Sequence, residues 1–469
     1  MTAPATRRPA PRAHPRRLLT ALCIAQFMLV LDITVVNVAL PHLAADLELG
    51  RAELTWTITA YILCFGGLML LGGRTADVFG ARRVLIGGLV TFTLASLASA
   101  TATDATWLIG ARAGQGIGAA FVSPAALALL TSTHHGHARH RALAVWSAIG
   151  GVGFAAGALV GGALTSGPGW RWIFWINVPV GILLVLALPL VTPAVTGRRR
   201  RIDALGAALV TFATASLIYG LVQAGEDGWT GGSTLAALAI GIASYAAFAY
   251  AECHVRAPLM RVALLTQRSV LTGCTLMLAA TALMVGAFFL GSLYLQHAVG
   301  YGAMRTGLMF APPAVAVTAG AHLAGSWMRR IGPRPIALGG LSSAAVGAAL
   351  LATVSDGASV LATVLPGMTL LALGVGPVFV TATTTAMSSV DPDESGLASG
   401  LVNTFHELGG AFGVAVLSSV AAGSLATGQV DGFRAAYLVC AIIACLAALA
   451  ATALVPRGVP TMSAGSHVH

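Results

Sequence analysis

Long apolar runs, each bounded by short polar stretches, follow one another along almost the entire chain. A helix needs about 20 mostly apolar residues to cross a bilayer, and fourteen runs have about this length. The pattern therefore predicts an all-α polytopic membrane protein with one transmembrane helix for each run. The runs cover residues 18–40, 54–73, 84–103, 106–130, 142–165, 173–193, 204–224, 233–251, 270–296, 306–327, 335–354, 359–387, 397–422 and 433–455.

The composition agrees with a membrane protein and excludes several classes of function. Hydrophobic residues make up 57% of the 469 residues and charged residues only 9%, whereas soluble domains carry about 25% charge. All 26 basic residues are arginines, so the chain lacks the lysine that a phosphate-binding Walker loop or a Schiff base requires. No HExxH or GxSxG motif is present. We therefore expect a protein that is not an enzyme and needs neither ATP nor a cofactor.

The distribution of arginine predicts how the chain is oriented. With the amino terminus placed in the cytoplasm, 21 of the 26 arginines lie in cytoplasmic loops and tails and 4 lie outside. Cytoplasmic loops are enriched in arginine, so we predict that both termini are cytoplasmic. The net charge of +10 then reflects topology, and no nucleic-acid partner is expected. The first run is too long for a cleaved signal peptide, so we expect it to stay in the cell inner (cytoplasmic) membrane.

A repeated loop motif predicts two similar halves. Residues 73–83 and 325–334 each contain a glycine, a second glycine seven positions later and an arginine two positions after that, at one offset of 252 residues. Parallel halves of this kind occur in secondary transporters. Because the offset is longer than six helices need, we predict a 6+2+6 arrangement. Its parts are a basic tail (1–17), a six-helix bundle (18–193), a linker with two extra helices (194–268), a second six-helix bundle (269–455) and a cytoplasmic tail (456–469).

Short motifs occur in six places and in a consistent order along the predicted helices. They lie at residues 31–41 around Asp32, 73–83, 112–116, 170–179, 294–296 and 396–403. Together they resemble the motifs of the 14-helix drug:proton antiporter family of the major facilitator superfamily. The resemblance covers essentially the whole chain, but it says nothing about the identity of the substrate.

This resemblance implies the major facilitator fold and proton-coupled efflux of small amphiphilic drugs or antibiotics by alternating access. It also implies a monomer whose partners are the substrate, protons and membrane lipid. One alternative within transport is a narrow-specificity carrier of a single metabolite, such as an amino acid, a siderophore or an endogenous antibiotic. A membrane-embedded enzyme and a sensor without transport activity are further alternatives that no motif favours.

Asp32 is the candidate proton-coupling residue, because it stands in an otherwise uncharged apolar run. A carboxylate at such a position costs about 2.5–3.5 kcal/mol on insertion scales, and chains that keep one usually carry a proton or hold a counter-ion with it. Asp32 lies about 21 Å from the cytoplasmic edge and Arg112 about 9 Å from the outer edge, at 1.5 Å per helical residue. These depths match in a core about 30 Å thick. We hypothesise that the two residues face one cavity and couple transport to protons; the alternative is a static ion pair.

Glu407, with His406 beside it, is the other candidate inside a predicted helix. It is either a second proton-coupling site or a residue that selects cations. The alternative is a charge near the cytoplasmic interface. The resemblance does not extend to this pair, because the family more often has Arg-Gln before Leu-Gly-Gly at this place.

Two glycine-containing motifs carry roles that only the resemblance implies. A gating loop between the second and third helices consists of Gly73, Asp77, Gly80, Arg82 and Arg83. An antiporter motif, in which small residues allow close helix packing, consists of Gly153, Gly157, Gly161 and Gly162. The chain departs from the usual motifs at Val78, Ala81 and Ala158. For the two arginines of the loop, anchoring on the cytoplasmic side is an adequate alternative.

A lipophilic substrate fits an apolar cavity with a few polar groups. The weak candidates for its lining are Asn37, Gln115, Phe288, Phe289, Tyr294, Phe379 and Asn403. Helix packing is the alternative for each of them. Clustered histidines can bind metal, but we expect no metal site, and we expect solvated loop residues at His134, His135, His137 and His140, and likewise at His322.

Overall fold

The structure is a computed structural model that describes residues 15–134, 136–192, 204–254, 267–355, 357, 359–388, 390, 395–427 and 429–456. Within these ranges the chain consists of helices and short connections, and it contains no strand. Each of the fourteen apolar runs coincides with a helix. The predicted all-α fold is therefore confirmed.

The first six helices form the N-terminal half. They are α1 (Pro15–Asp46), α2 (Arg51–Phe79), α3 (Ala81–Ala100), α4 (Ala105–Thr133), α5 (Gly136–Ser166) and α6 (Asn177–Val191). A single helical turn, Trp172–Trp175, precedes α6. Two more helices, α7 (Ala204–Glu226) and α8 (Gly232–His254), follow this half.

The last six helices form the C-terminal half. They are α9 (Arg268–Leu293), α10 (Ala303–Ile331), α11 (Pro333–Leu351), α12 (Leu365–Met387), α13 (Ser395–Thr427) and α14 (Val430–Leu454). A π-helical turn, Tyr294–Ala298, extends α9, and another, Val360–Val364, precedes α12. Among the described residues, thirteen helices are long and apolar enough to cross a membrane; α5, with 31 residues, is the fourteenth long helix.

The two halves repeat one pattern of helix pairing. In the N-terminal half α1 packs on α5, α2 on α4, and α3 on both α4 and α6. Eight helices later α9 packs on α13, α10 on α12, and α11 on both α12 and α14. The corresponding connections also have the same backbone geometry, because Gly80 (φ 92°) and Gly332 (φ 82°) stand 252 residues apart. Both need the positive φ that glycine adopts without strain.

The halves meet along two seams. In one seam α5 packs against α10, and in the other α2 packs against α13. The extra helices α7 and α8 pack on each other, and α7 also contacts both α2 and α13. The extra pair therefore covers the second seam. Each half keeps its own buried apolar core on either side of these seams.

Candidate functional site

Asp32 and Arg112 form a buried ion pair in the N-terminal half. The Nη1 atom of Arg112 lies 2.6 Å from Oδ2 of Asp32, and each residue is only 1% exposed. The structure thus brings together the two residues whose depths matched in the sequence. A pair buried this deeply is stable only if further hydrogen bonds satisfy both groups.

Two amide side chains complete the hydrogen bonding of the Asp32 carboxylate. Nε2 of Gln115 donates to Oδ1 at 3.0 Å, and Nδ2 of Asn177 donates to the same atom at 2.8 Å. With Arg112 on Oδ2, the carboxylate accepts three hydrogen bonds. Both carboxylate oxygens therefore have hydrogen-bond donors within the buried site.

Gln115 connects the ion pair to α3. Its Oε1 atom accepts from Arg112 at 2.9 Å and from Ser99 at 3.1 Å, and its Nε2 atom also donates to Ser96 at 2.8 Å. The side chain is buried within the helical bundle. It therefore belongs to the Asp32 network rather than to an open cavity surface.

Aromatic rings and a backbone carbonyl from neighbouring segments hold the Arg112 guanidinium. Its Nε atom donates to the carbonyl oxygen of Thr57 at 3.2 Å. Its Cζ atom lies 4.4 Å from the ring centroid of Tyr61 and 5.8 Å from that of Phe174, both within the range of cation–π attraction. The buried Tyr61 hydroxyl has no hydrogen-bond partner among the described residues.

Sequence reasoning missed several members of this network. They are Thr57, Tyr61, Ser96, Ser99, Phe174 and Asn177. Asn177 carried the clearest signal, because it is an amide within the motif at 170–179 and near the start of an apolar run. Nothing local indicated that it points at α1, because that contact spans 145 residues of sequence.

The glycines of α5 allow the close approach of two other helices. A Cβ atom on Gly153 would lie 3.0 Å from Val30, one on Gly157 would collide with Thr34, and one on Gly161 would lie 3.1 Å from Val35. These neighbours flank Asp32 on α1. A Cβ on Gly162 would instead lie 2.8 Å from the carbonyl oxygen of Ala303 on α10. The four glycines thus pack α5 tightly on the Asp32 segment and on the other half.

Glu407 lies outside the Asp32 network, at the junction of α2, α7 and α13. A Cβ on Gly66 of α2 would lie 2.9 Å from Cβ of Glu407 and 3.1 Å from Ile218 of α7. Its neighbour His406 points elsewhere, with Nδ1 3.0 Å from Oγ1 of Thr281. Tyr61 of the Asp32 network lies within electrostatic range of Glu407.

In the loop between α2 and α3, Arg82 makes specific hydrogen bonds to the backbone at the carboxyl end of α6. Arg82 donates to the carbonyl oxygens of Thr192 at 3.1 Å and Pro189 at 3.0 Å, and so caps the carboxyl end of α6, where cations are favourable. Arg83 is exposed and Gly73 lies against Pro124. The side chain of Asp77 is outside the described residues.

Two aromatic cavity candidates are part of the C-terminal core. Phe288 packs on Phe310 with ring centroids 4.2 Å apart, and Tyr294 lies edge-on to Phe433 at 5.3 Å. For Phe288 and Tyr294 this burial favours helix packing over cavity lining.

The remaining candidates occupy varied positions. The Nδ2 atom of Asn37 donates to Ile33 on its own helix at 3.0 Å, Phe379 packs against His406, and Phe289 and Asn403 are half-buried. His134 is buried rather than solvated, and its Nδ1 atom lies 3.0 Å from the carbonyl oxygen of Leu130. His322 is exposed. The side chains of His135, His137 and His140 lie outside the described residues.

Comparison with known proteins identifies the family. The family model "Major Facilitator Superfamily" matches residues 22–414. The chain is 37% identical over 426 residues to a puromycin resistance protein of Streptomyces alboniger, covering 89% of this chain and 84% of that protein. It is 38% identical over 408 residues to a cephamycin export protein of Amycolatopsis lactamdurans, covering 86% of this chain and 84% of that protein.

A solved structure agrees with these matches at the level of the fold. The human organic anion transporter MFSD10 superposes with a TM-score of 0.64 at 15% sequence identity, covering 94% of this chain and 100% of that one. Family membership also makes the chain a multi-pass protein of the cell membrane, and a transporter rather than an enzyme. The protein therefore belongs to the Major Facilitator Superfamily.

Proposed function

We propose that this transporter exports small amphiphilic drugs or antibiotics from the cytoplasm in exchange for protons. The names of the two relatives support this substrate class, since they describe resistance to puromycin and export of cephamycin. Both termini are then cytoplasmic, and the loop between α5 and α6 faces outside. One chain contains both halves, so a monomer suffices. The proton gradient drives transport, and no cofactor takes part.

The single observation that carries the proposal is the ionised pair at the centre of the N-terminal half. Asp32 and Arg112 are each 1% exposed, and a buried ion pair adds little or nothing to stability compared with an apolar core of the same volume. An acid that is retained inside a membrane helix at this cost is a functional candidate. Proton binding is the function that we assign to this buried carboxylate.

Protonation of Asp32 changes every contact of the site at once. The neutral carboxyl group loses its attraction to Arg112, and its amide donors bind it more weakly. A guanidinium left without its counter-ion is strongly unfavourable in a buried position. The protonated site therefore favours a rearrangement in which Arg112 finds another partner, and a change in the population of two conformations follows.

The other candidate residues act on this switch from the seams. The glycines at 153, 157, 161 and 162 keep α5 packed tightly against α1 and α10, which limits leak between the halves, and the gating loop at 73–83 joins α2 to α3. Glu407 lies at the second seam, where it serves either as a second proton-coupling site or as a residue that selects cationic substrates. The half-buried residues Phe289, Phe379 and Asn403 remain proposals for the substrate cavity.

Proton-driven uptake into inverted membrane vesicles tests the proposal. A panel of lipophilic cations, together with puromycin, is offered to vesicles with and without an uncoupler. We expect uptake by the wild-type protein to collapse with the uncoupler and to be lost in Asp32→Asn. Asp431→Asn is the matched control, because it removes the same charge from a side chain that is 91% exposed. Uptake in Asp32→Asn that keeps the wild-type sensitivity to the uncoupler contradicts the role of Asp32, and wild-type uptake that ignores the uncoupler contradicts proton exchange.

A carrier of one compound is the second candidate function. It is favoured by the names of the relatives, each of which specifies a single antibiotic. Growth of an expressing host on a drug panel separates the two functions. Resistance to many unrelated amphiphiles supports broad efflux, whereas resistance to one compound or to none supports the narrow carrier.

A further inference from the structure

The segment 170–177 between α5 and α6, here called the strap, is held by α1 at both of its ends. At the inner end Nδ2 of Asn177 donates to Asp32 at 2.8 Å. At the outer end Nη1 of Arg171 lies 2.6 Å from Oδ2 of Asp46, and Nε1 of Trp170 donates to the same oxygen at 2.9 Å. Asp32 and Asp46 are 14 residues apart, just under four helical turns, so they lie on one face of α1 about 21 Å apart.

One side of the strap is buried in the core of the N-terminal half, whereas Trp172 and Trp175 on its other side are 51% and 37% exposed. Trp170, Ile173 and Phe174 are all buried, and the rings of Trp170 and Phe174 meet edge-on at 6.2 Å. The strap begins immediately after Gly169, whose φ of 107° reverses the chain after α5. Tightly packed elements move together rather than deform continuously, so a displacement at one end of the strap is transmitted to the other.

Asn177 is the least anchored of the three donors to Asp32. Gln115 is fixed by its bonds to Arg112, Ser96 and Ser99, and Arg112 is fixed by Thr57 and two rings. Among the described residues the Asn177 amide nitrogen bonds only Asp32. Asn177 is also the first residue of α6, after the short turn Trp172–Trp175 ends. It is therefore the donor that can withdraw without breaking the rest of the network.

We infer that Asn177 is a positioning residue for proton binding at Asp32, and that the strap couples this site to the Asp46–Arg171 pair at the outer surface. The inference rests on the proposed proton-coupled function. When Asp32 is ionised, Asn177 holds the strap against α1. When Asp32 binds a proton, its bond to Asn177 weakens, and the polar contacts that still hold the strap are those of its outer end, with Asp46 and with the carbonyl oxygen of Ala102. Protonation of Asp32 thereby changes the contacts of the strap at the outer end of α1.

Other charged and titratable groups face the two ends of the strap. At Asp32 these are Arg112 from α4 and Tyr61 from α2, with Glu407 of α13 within electrostatic range of Tyr61. The groups from α3 and α6 are neutral. At the outer end, His42 lines the same cavity of about 430 Å³ as Asp46 and Arg171. His42 is therefore substituted separately in the test.

The test uses the full-length transporter in inverted vesicles and measures the pH at which uptake is half-maximal. The variants are Asn177→Ala, Asp46→Asn and the double variant. Gln223→Ala is the matched control, because that amide also donates to a carboxylate, Asp227 at 3.2 Å, but at the exposed end of α7. His42→Ala, alone and with Asp46→Asn, isolates the histidine.

We expect Asn177→Ala to move the half-maximal pH upward by about one unit, since a hydrogen bond to a charged group is lost only from the ionised form. Asp46→Asn should move it in the same direction by a smaller amount. The double variant should equal Asn177→Ala, because residues that act through one element are not additive. Gln223→Ala should leave the half-maximal pH unchanged, and His42→Ala should leave the effect of Asp46→Asn in place.

Three transport results would each overturn the inference while leaving proton coupling intact. If Asn177→Ala leaves the half-maximal pH unchanged, Asn177 has no positioning role. If Asp46→Asn leaves it unchanged, or if the shifts of the two single variants add up in the double variant, the strap does not couple Asp32 to Asp46. Proton-independent uptake by the wild-type protein contradicts the proposed function instead. Hydrogen exchange of residues 170–177 supplies a measurement that needs no transport. Asp32→Asn, which mimics the protonated acid, should speed this exchange, and Asp431→Asn should not. Equal exchange rates in the two variants would contradict the coupling of the strap to Asp32.

Discussion

The two halves of this protein use the same helix pairing around different interiors. In the N-terminal half, Asp32, Arg112 and Gln115 form one buried polar network. The equivalent positions of the C-terminal half, 252 residues later in the chain, are occupied by the uncharged residues Met284, Val364 and Gly367. Its core instead contains contacts between aromatic rings, such as the tilted pair Phe288 and Phe310 and the edge-on pair Tyr294 and Phe433.

This difference shows that the pairing of the helices and the buried ion pair are separate features of the protein. Because the C-terminal half pairs its helices without any ion pair at the equivalent positions, the architecture does not require one. A buried ion pair is in general weak support for stability. The polar network of the N-terminal half is therefore best explained by function, and the comparison can be tested by changing each half in turn.

The largest effect is expected from breaking the ion pair on one side only. Arg112→Ala leaves the Asp32 carboxylate buried without its counter-ion, which costs about 3–5 kcal/mol of stability. We expect proton-driven uptake to fall below detection, and the melting temperature in detergent to fall as well. Val364→Ala at the same offset is the control; it should lower the melting temperature modestly and leave the uncoupler sensitivity of uptake unchanged. Equal loss of coupling in both variants would contradict the division between the halves.

Removing the charges of both Asp32 and Arg112 distinguishes an effect on protein stability from an effect on proton coupling. In Asp32→Asn with Arg112→Gln no uncompensated charge remains, so we expect the melting temperature to recover most of the loss seen in Arg112→Ala. Uptake should stay uncoupled from the proton gradient. A double variant that regains coupled uptake would show that the pair is structural.

The aromatic core of the C-terminal half should respond in the opposite way. Phe288→Ala leaves a cavity against Phe310 and is expected to destabilise the protein by about 3–5 kcal/mol. The pH dependence of the remaining uptake should match that of the wild-type protein, because no proton-binding group is touched. Thermal denaturation in detergent and uptake at several pH values measure the two quantities. A shifted pH profile would mean that the C-terminal core contributes to coupling.

Glu407 tests whether any charge in the C-terminal half participates. We expect Glu407→Gln to reduce uptake about tenfold, equivalent to about 1.4 kcal/mol, which is less than the loss in Asp32→Asn. Comparing cationic with neutral substrates separates the two proposed roles. A loss confined to cations indicates selectivity, a loss for all substrates indicates a second proton-coupling site, and unchanged uptake of both removes Glu407 from the mechanism.

The smallest expected effects come from the two connections that the halves share. Gly80→Ala and Gly332→Ala place a side chain at a positive φ and should each cost about 1–2 kcal/mol. Gly87→Ala and Gly339→Ala are matched controls at the same offset, because a Cβ there meets no atom within 4 Å. Similar melting temperatures for all four variants would contradict the conformational requirement.

Sequence reasoning reached the ion pair but not its surroundings. Depth along a helix follows from counting residues, so Asp32 and Arg112 could be matched at one level of the membrane. The direction of each side chain around its helix depends on how the helices are rotated and packed. Gln115 and Tyr294 were therefore both cavity candidates, although the first belongs to the ion-pair network and the second to the C-terminal core.

The sequence by itself determined the fourteen helices, the internal repeat and the two acids, Asp32 and Glu407, that stand inside apolar runs. These are properties of local hydrophobicity, spacing and charge, and they need no knowledge of contacts. Only the tertiary structure decided that Asn177 reaches Asp32, that the strap is anchored again at Asp46, and that α7 covers the seam beside Glu407. Those contacts join residues far apart in the chain, and the packing of whole helices, rather than any local pattern, brings them together.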